Sequence, residues 1–143
     1  MALRSANEKP ILLDTCAAIW IVDDRISQSA SDALTKAWQL SIPTHVSPIS
    51  AWEIGLLAAS GRFKSPDPPR RWFQRLLDLP NVRLAELPPR VLLDSSFLPG
   101  SPPSDPADRI LAATARDFGF TVMTRDRVLL AYAKEGYLSA IAC

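Results

Sequence analysis

Short apolar runs alternate with longer amphipathic stretches along this chain, and the alternation predicts its elements. Residues 1–10 form a polar leader. Ile11-Leu12-Leu13 follows, closed by Asp14-Thr15; it is too short for a helix and reads as a buried strand. Cys16–Val22 is an apolar helical stretch that ends near Asp23-Asp24-Arg25. Ser29-Ala30-Ser31-Asp32 has capping-box spacing and predicts a helix to about Leu40. Thr44–Ser47, bounded by Pro43 and Pro48, predicts a second short strand. Ser50-Ala51-Trp52-Glu53 is another capping box, opening a helix through Ala59 that Gly61 stops.

Three prolines within Ser65–Pro69 require a turn. Pro69–Leu79 is amphipathic, with Trp72, Leu76 and Leu79 on one stripe. Asn81–Ala85 reads as a weak strand, Pro89–Ser95 as a short helix and Leu98–Ser104 as a Pro/Ser-rich loop. Asp105-Pro106-Ala107-Asp108 opens a helix to about Asp117, with Pro106 suited to the first turn and Gly119 closing it. Phe120–Met123 is a strand, Asp126–Lys134 a helix with Val128, Leu129 and Tyr132 as its buried stripe, and Leu138–Ile141 a last strand. Strands and helices alternating with short joins predict an α/β domain with a mainly parallel sheet. Residues 11–143 read as one domain, with no repeat and no internal boundary.

Composition narrows the chemistry. The chain has 143 residues, 48% hydrophobic and 22% charged, with a net charge of +1. That balance suits one globular domain and excludes a disordered chain, a rod or a strongly basic nucleic-acid coat. No apolar window is long enough to span a membrane, and the leader lacks the apolar core of a signal peptide, so a cytoplasmic location is expected. His45 is the single histidine, and Cys16 and Cys143 are the two cysteines; this argues against zinc sites and a disulfide framework. Neither a dinucleotide-binding glycine motif nor a phosphate loop is present.

Carboxylates are plentiful. Asp14 follows the first strand, Asp126 follows the fourth, and Glu53 and Asp108 sit near helix starts. In a parallel α/β sheet these places share the edge where ligands bind. Each acid taken singly has a plain structural reading as a helix cap or a partner of the helix dipole. Taken together they have an electrostatic consequence. Two carboxylates about 5 Å apart repel by roughly 3 kcal/mol at an effective dielectric near 20. Four in one cleft would need raised pKa values or an oxygen-seeking divalent cation, Mg²⁺ or Mn²⁺. Such ions support phosphodiester hydrolysis without any histidine.

The segments Ile11-Leu12-Leu13-Asp14-Thr15, Ser50-Ala51-Trp52-Glu53-Ile54, Asp105-Pro106-Ala107-Asp108-Arg109 with the following Ile-Leu-Ala-Ala-Thr-Ala, and Thr121-Val122-Met123-Thr124-Arg125-Asp126 resemble, in order, the four acidic motifs of PIN-domain nucleases. The likeness is to VapC-type toxins of toxin–antitoxin pairs and covers residues 11–141. It implies a three-layer α/β/α fold with a central, mainly parallel sheet, Mg²⁺- or Mn²⁺-dependent endoribonuclease activity on RNA, a homodimer and an antitoxin partner. By the same resemblance Asp14 and Asp108 are the main metal ligands, Glu53 completes the site or holds its water, and Asp126 is a further ligand. Thr15, Ser50, Asp105 and Thr124 are then candidates to orient carboxylates or phosphate, with helix capping as the competing role for the hydroxyls. The alternative is a PIN-like fold that serves as a non-catalytic scaffold.

Other features carry less. Five cations lie between Arg62 and Arg75, interleaved with Trp72 and Phe73. They read either as a guide for RNA phosphates or, more economically, as a solvated face whose aromatics pack inward. Arg109 is expected to neutralise phosphate or pair with an acid. His45 is expected to be a satisfied core residue, Cys16 a small buried hydrophobe, and Trp20, Trp38 and Trp52 packing residues.

Overall fold

The computed structural model describes residues 9–143, so most of the polar leader lies outside the described residues. Five strands, β1 (Ile11–Leu13), β2 (Thr44–Val46), β3 (Val82–Leu84), β4 (Thr121–Thr124) and β5 (Ser139–Ala142), alternate with helices. The helices are α1 (Thr15–Val22), α2 (Gln28–Gln39), α3 (Pro48–Ala59), α4 (Pro69–Leu77), α5 (Pro89–Asp94), α6 (Pro106–Phe118) and α7 (Arg127–Lys134). Every strand pair is parallel, and the sheet order is β3-β2-β1-β4-β5. Beyond β1 the order runs one way through β2 and β3 and the other way through β4 and β5. The reversal places a crevice at the carboxyl ends of β1 and β4.

Alternate residues of the strands feed two separate cores, which makes the domain three-layered. Ile11, Leu13, Val46 and Met123 face one side and pack with Ala17, Ile54, Trp72 and Leu76 from α1, α3 and α4. Leu12 and Val122 face the other and pack with Leu111 of α6 and with Leu129 and Tyr132 of α7. The expected α/β architecture is therefore the observed one, with strand and helix ends shifted by up to one helical turn.

The helix starts differ from expectation in an instructive way. Ser27, not Ser29, caps α2 by accepting from the Ala30 N–H at 3.2 Å. Helix α3 begins at Pro48 with Ser47 as its cap, accepting from the Ile49 N–H at 3.1 Å. Pro48 has no N–H to leave unpaired and its φ is already helical, so the helix starts before Ser50. The expected Ser50–Glu53 box therefore does not form, and Glu53 lies in the second turn. Helix α6 does start at the expected place. Asp105 caps it, accepting from the Asp108 N–H at 3.0 Å, and Gly119 ends it in the left-handed region at φ 73°.

Several packing expectations fail. Val128 is exposed because it lies off the Leu129–Tyr132 stripe of α7. Trp38 and Trp52 are 63% and 53% exposed, on the outer faces of α2 and α3. His45 stacks on Phe120 at 4.6 Å between ring centroids, but its buried Nδ1 has no hydrogen-bond partner among the described residues. Burial, with Arg83 nearby, holds its imidazole below the ordinary pKa.

Candidate active site

The crevice at the ends of β1 and β4 is built from Asp14 outward. Asp14 is the residue after β1 and the N-cap of α1, and it is buried. One carboxylate oxygen accepts from the Ala17 N–H at 2.7 Å, and the other accepts from the Thr124 hydroxyl at 2.5 Å. Its own N–H donates to the Met123 carbonyl at 3.1 Å, continuing the β1–β4 ladder into the site. Thr124, the last residue of β4, also accepts the Asp126 N–H at 2.9 Å. Asp126 in turn caps α7, accepting from the Leu129 N–H through Oδ2 at 2.9 Å.

The first residue of α1 organises the other side. The Thr15 hydroxyl bonds the Glu53 carboxylate and lies 2.9 Å from the Ser50 hydroxyl. With one proton on the Thr15 oxygen donated to Glu53, the Ser50 hydroxyl supplies the proton of the second bond. Ser50 and Glu53 lie one helical turn apart on α3, so both meet the start of α1. Thr15 and Ser50 are buried. Capping and site-building are thus divided: Asp14, Asp105 and Asp126 each cap a helix, while Thr15, Ser50 and Thr124 bind side chains of the acids or of one another.

Asp108 projects from the first turn of α6. Its carboxyl is pushed up to about 7, by burial first and then by the negative field of Asp105, Asp126, Glu53 and Asp14. Glu53 is raised by burial and by Asp105 and Asp14, against the pull of the Thr15 hydrogen bond. Asp14 is raised by burial, opposed by Thr124 and Ala17, with Asp126 adding to the rise. All four acids named from the sequence, and Asp105 with them, therefore act on one another electrostatically.

Among the described residues no Lys or Arg offsets that field by ion pairing. The salt bridges among the described residues are Arg75–Asp67 and Arg90–Asp117, neither involving these acids. Arg109 spends its guanidinium on the Ser95 and Pro103 carbonyls, at 2.8 and 2.9 Å. It pins the loop before α6 and forms no salt bridge with an acid among the described residues, so the expected acid pairing is not seen. Among the described residues no three His, Cys, Asp or Glu side chains already converge on one ligand position. The acids share a field rather than a finished coordination sphere. Hard, all-oxygen donors without a cationic partner are the donor set that suits Mg²⁺ or Mn²⁺.

Cys16 departs from expectation: it is exposed, at the second position of α1. Desolvation of its sulfur and the charges of Asp14, Glu53 and Asp108 push the thiol up to about 11. In the basic stretch, Trp72 is buried edge-on against Phe63, with ring centroids 5.3 Å apart, as the packing reading expects. Arg125, passed over in the sequence, stands exposed between Thr124 and Asp126.

A doubly wound parallel sheet whose switch point gathers carboxylates and hydroxyls defines a class of acidic α/β domains. Within that class the chain belongs to the PIN-domain family, whose model matches residues 11–135. It is 36% identical over 121 residues to Ribonuclease VapC22 of Mycobacterium tuberculosis, a match that spans 83% of this chain and 88% of that protein. Two solved structures share its fold. One is VapBC2 from Rickettsia felis bound to a DNA fragment from their promoter, with TM-score 0.64, 12% identity and coverage of 92% and 97% of the two chains. The other is DNA-bound VapBC from Salmonella typhimurium, with TM-score 0.63, 14% identity and coverage of 94% and 98%. The VapC-type resemblance read from the four acidic motifs is borne out.

Proposed function

We propose that this chain is a metal-dependent endoribonuclease, the toxin of a toxin–antitoxin pair, which hydrolyses RNA phosphodiester bonds. The observation that carries the reading is the set of mutually repelling acids at the sheet's switch point, with Asp108 raised to about 7 and, among the described residues, no cationic side chain in a salt bridge with any of them. Asp14, Glu53, Asp108 and Asp126 would hold Mg²⁺ or Mn²⁺. A bound ion of this kind activates water and neutralises charge on phosphate oxygens.

The chain's own residues prepare the site. Thr124 and the Ala17 N–H fix both oxygens of Asp14, so that carboxylate needs no reorientation. Thr15, backed by Ser50, fixes Glu53 in the same way. Asp126 has one oxygen committed to capping α7, which leaves the other for the site. Asp108 carries no side-chain hydrogen bond among the described residues and is the acid best placed to change protonation near neutral pH. Asp105, bonded to the Asp108 N–H, fixes the backbone beneath it. His45 takes no part, because it is stacked on Phe120 within the second core.

The name of the mycobacterial relative supports the ribonuclease reading, and the VapBC complexes among the fold neighbours support an antitoxin partner. Exposed Trp38, Trp52, Leu56 and Phe97 offer apolar surface for that partner and for a homodimer. A cytoplasmic setting belongs to the same reading. No helix among the described residues is long and apolar enough to cross a membrane.

The test is cleavage of a mixed structured RNA by the antitoxin-free chain with Mn²⁺ or Mg²⁺, and with chelator, beside Asp14→Asn and Asp108→Asn. Metal-dependent cutting that both folded variants lose is the expected result. Equal cutting by all three chains, or no metal binding by calorimetry, would replace this reading with the scaffold alternative.

A further inference from the structure

The cations between Arg62 and Arg75 do not act as one patch. Arg75 is paired with Asp67. Arg70 lines a groove between α3 and α4 with Ala51 and Gly55. Arg62 and Lys64, just beyond the end of α3, turn instead toward α1. There, with Trp20, Arg25 and Asp23, they help line a separate cavity of about 160 Å³.

That cavity is joined to the carboxylate edge through Trp20. The Arg125 guanidinium lies 3.8 Å from the Trp20 ring centroid and donates to the Arg25 carbonyl at 3.2 Å. Arg125 is the residue between Thr124, which holds Asp14, and Asp126. Arg25, Arg62, Lys64 and Arg125 are all exposed, and none is in a salt bridge among the described residues. Arg62 spends one donor on the Ser60 hydroxyl, at 3.0 Å. Among the described residues the Arg62 guanidinium has no other hydrogen-bond partner, and Arg125, which also lies beside the Cys143 thiol, keeps an exposed edge that can meet a partner with several oxygens.

Three physical facts select that partner. Guanidinium forks match phosphate oxygens two at a time. A ring stacked under Arg holds the fork in place while leaving its edge accessible. Cationic grooves interleaved with aromatics bind single-stranded nucleic acid.

We propose that Arg125, Arg25, Arg62 and Lys64, set around Trp20, form a track on which the phosphates of single-stranded RNA run from the carboxylate edge along α1. The inference rests on the ribonuclease reading and adds the strandedness of the substrate and its path off the site. It also divides the basic stretch: Arg62 and Lys64 meet RNA, whereas Arg70 and Arg71 do not.

The experiment measures binding of a labelled single-stranded RNA oligonucleotide to the Asp14→Asn chain across a salt series. The Arg125→Gln substitution and the Arg62→Gln/Lys64→Gln pair are added separately, and Arg70→Gln/Arg71→Gln is the control. Neutralising one phosphate-binding cation is expected to reduce the slope of log affinity against log salt by roughly 0.7, so the pair should reduce it by roughly 1.4. The Arg125→Lys variant should keep the slope, since it keeps the charge. A duplex of the same length should bind more weakly than the single strand.

Unchanged affinity and slope in the track variants, or equal reductions in the Arg70/Arg71 control, would overturn the track. Thermal midpoints measured alongside show whether any weakening comes from unfolding. Cleavage by the wild-type chain separates the two readings. Metal-dependent cutting with unaltered binding in the track variants sinks only the track. A chain that cuts no RNA, yet binds it through these residues, sinks the nuclease and keeps the track.

Discussion

Thr124 donates its hydroxyl proton to Asp14 across the seam between β4 and β1, joining residues 110 positions apart at the end of two neighbouring strands. The same hydroxyl oxygen accepts the Asp126 N–H. A single side chain thus ties one candidate ligand to the backbone of another. Thr124→Val keeps the shape but removes both bonds. It is expected to weaken Mn²⁺ affinity by about 10- to 100-fold, as calorimetry would show, with Thr124→Ser restoring most of it.

Asp14 has two separable roles. As the cap of α1 it satisfies the Ala17 N–H, and as a carboxylate it supplies charge. Asp14→Asn keeps the first role and should fold normally while losing at least about 100-fold in cleavage rate, the order expected when a preorganised electrostatic group is removed. Asp14→Ala loses both, and chemical denaturation should show a further loss of about 1 kcal/mol for the missing cap.

Proton linkage gives the metal-free chain a distinctive pH profile. Asp108 titrates at about 7 in the folded chain against 3.8 for a free side chain. Between those values the unfolded chain releases a proton that the folded chain keeps, so stability falls as pH rises through the window and levels off above about 7. Asp14 and Glu53 are raised as well and act in the same sense. Urea midpoints in chelator should therefore decline from pH 5 to pH 7.5. Asp108→Asn should flatten much of the decline, and saturating Mg²⁺ should oppose it, because the ion binds the folded, ionised form.

Arg109 distinguishes a structural cation from a functional one. Its bonds to the Ser95 and Pro103 carbonyls close the loop that precedes α6. Arg109→Met should cost about 1.5–3 kcal/mol, the range for hydrogen bonds made by a charged group. Arg109→Lys should recover little of that stability, since a point charge cannot span two carbonyls. Rescue of cleavage by Lys without rescue of stability would assign Arg109 to phosphate after all.

Strand and helix positions were legible because their signals are local. Ile11–Leu13 is a short apolar run, Pro106 and Gly119 bracket a helix, and Phe120–Met123 lies between two polar breaks. The acids Asp14, Glu53, Asp108 and Asp126 were legible as candidates because helix starts and strand ends favour them. Glu53 was misplaced only in detail. Pro48 opens α3 a turn earlier than the Ser50–Glu53 spacing suggests, and the Glu53 carboxylate is bound by Thr15 rather than by a helix cap.

What the sequence determined by itself was the order of elements, the burial of the first strand and the identity of the candidate acids, since each depends on neighbours within a few residues. Only the tertiary structure decided which hydroxyl serves which carboxylate, that Arg109 faces carbonyls, and that Arg125 rests on Trp20. Those pairings join segments far apart in the chain. They arise where the order of strands reverses at β1 and β4, a junction set by packing a whole sheet between two layers of helices.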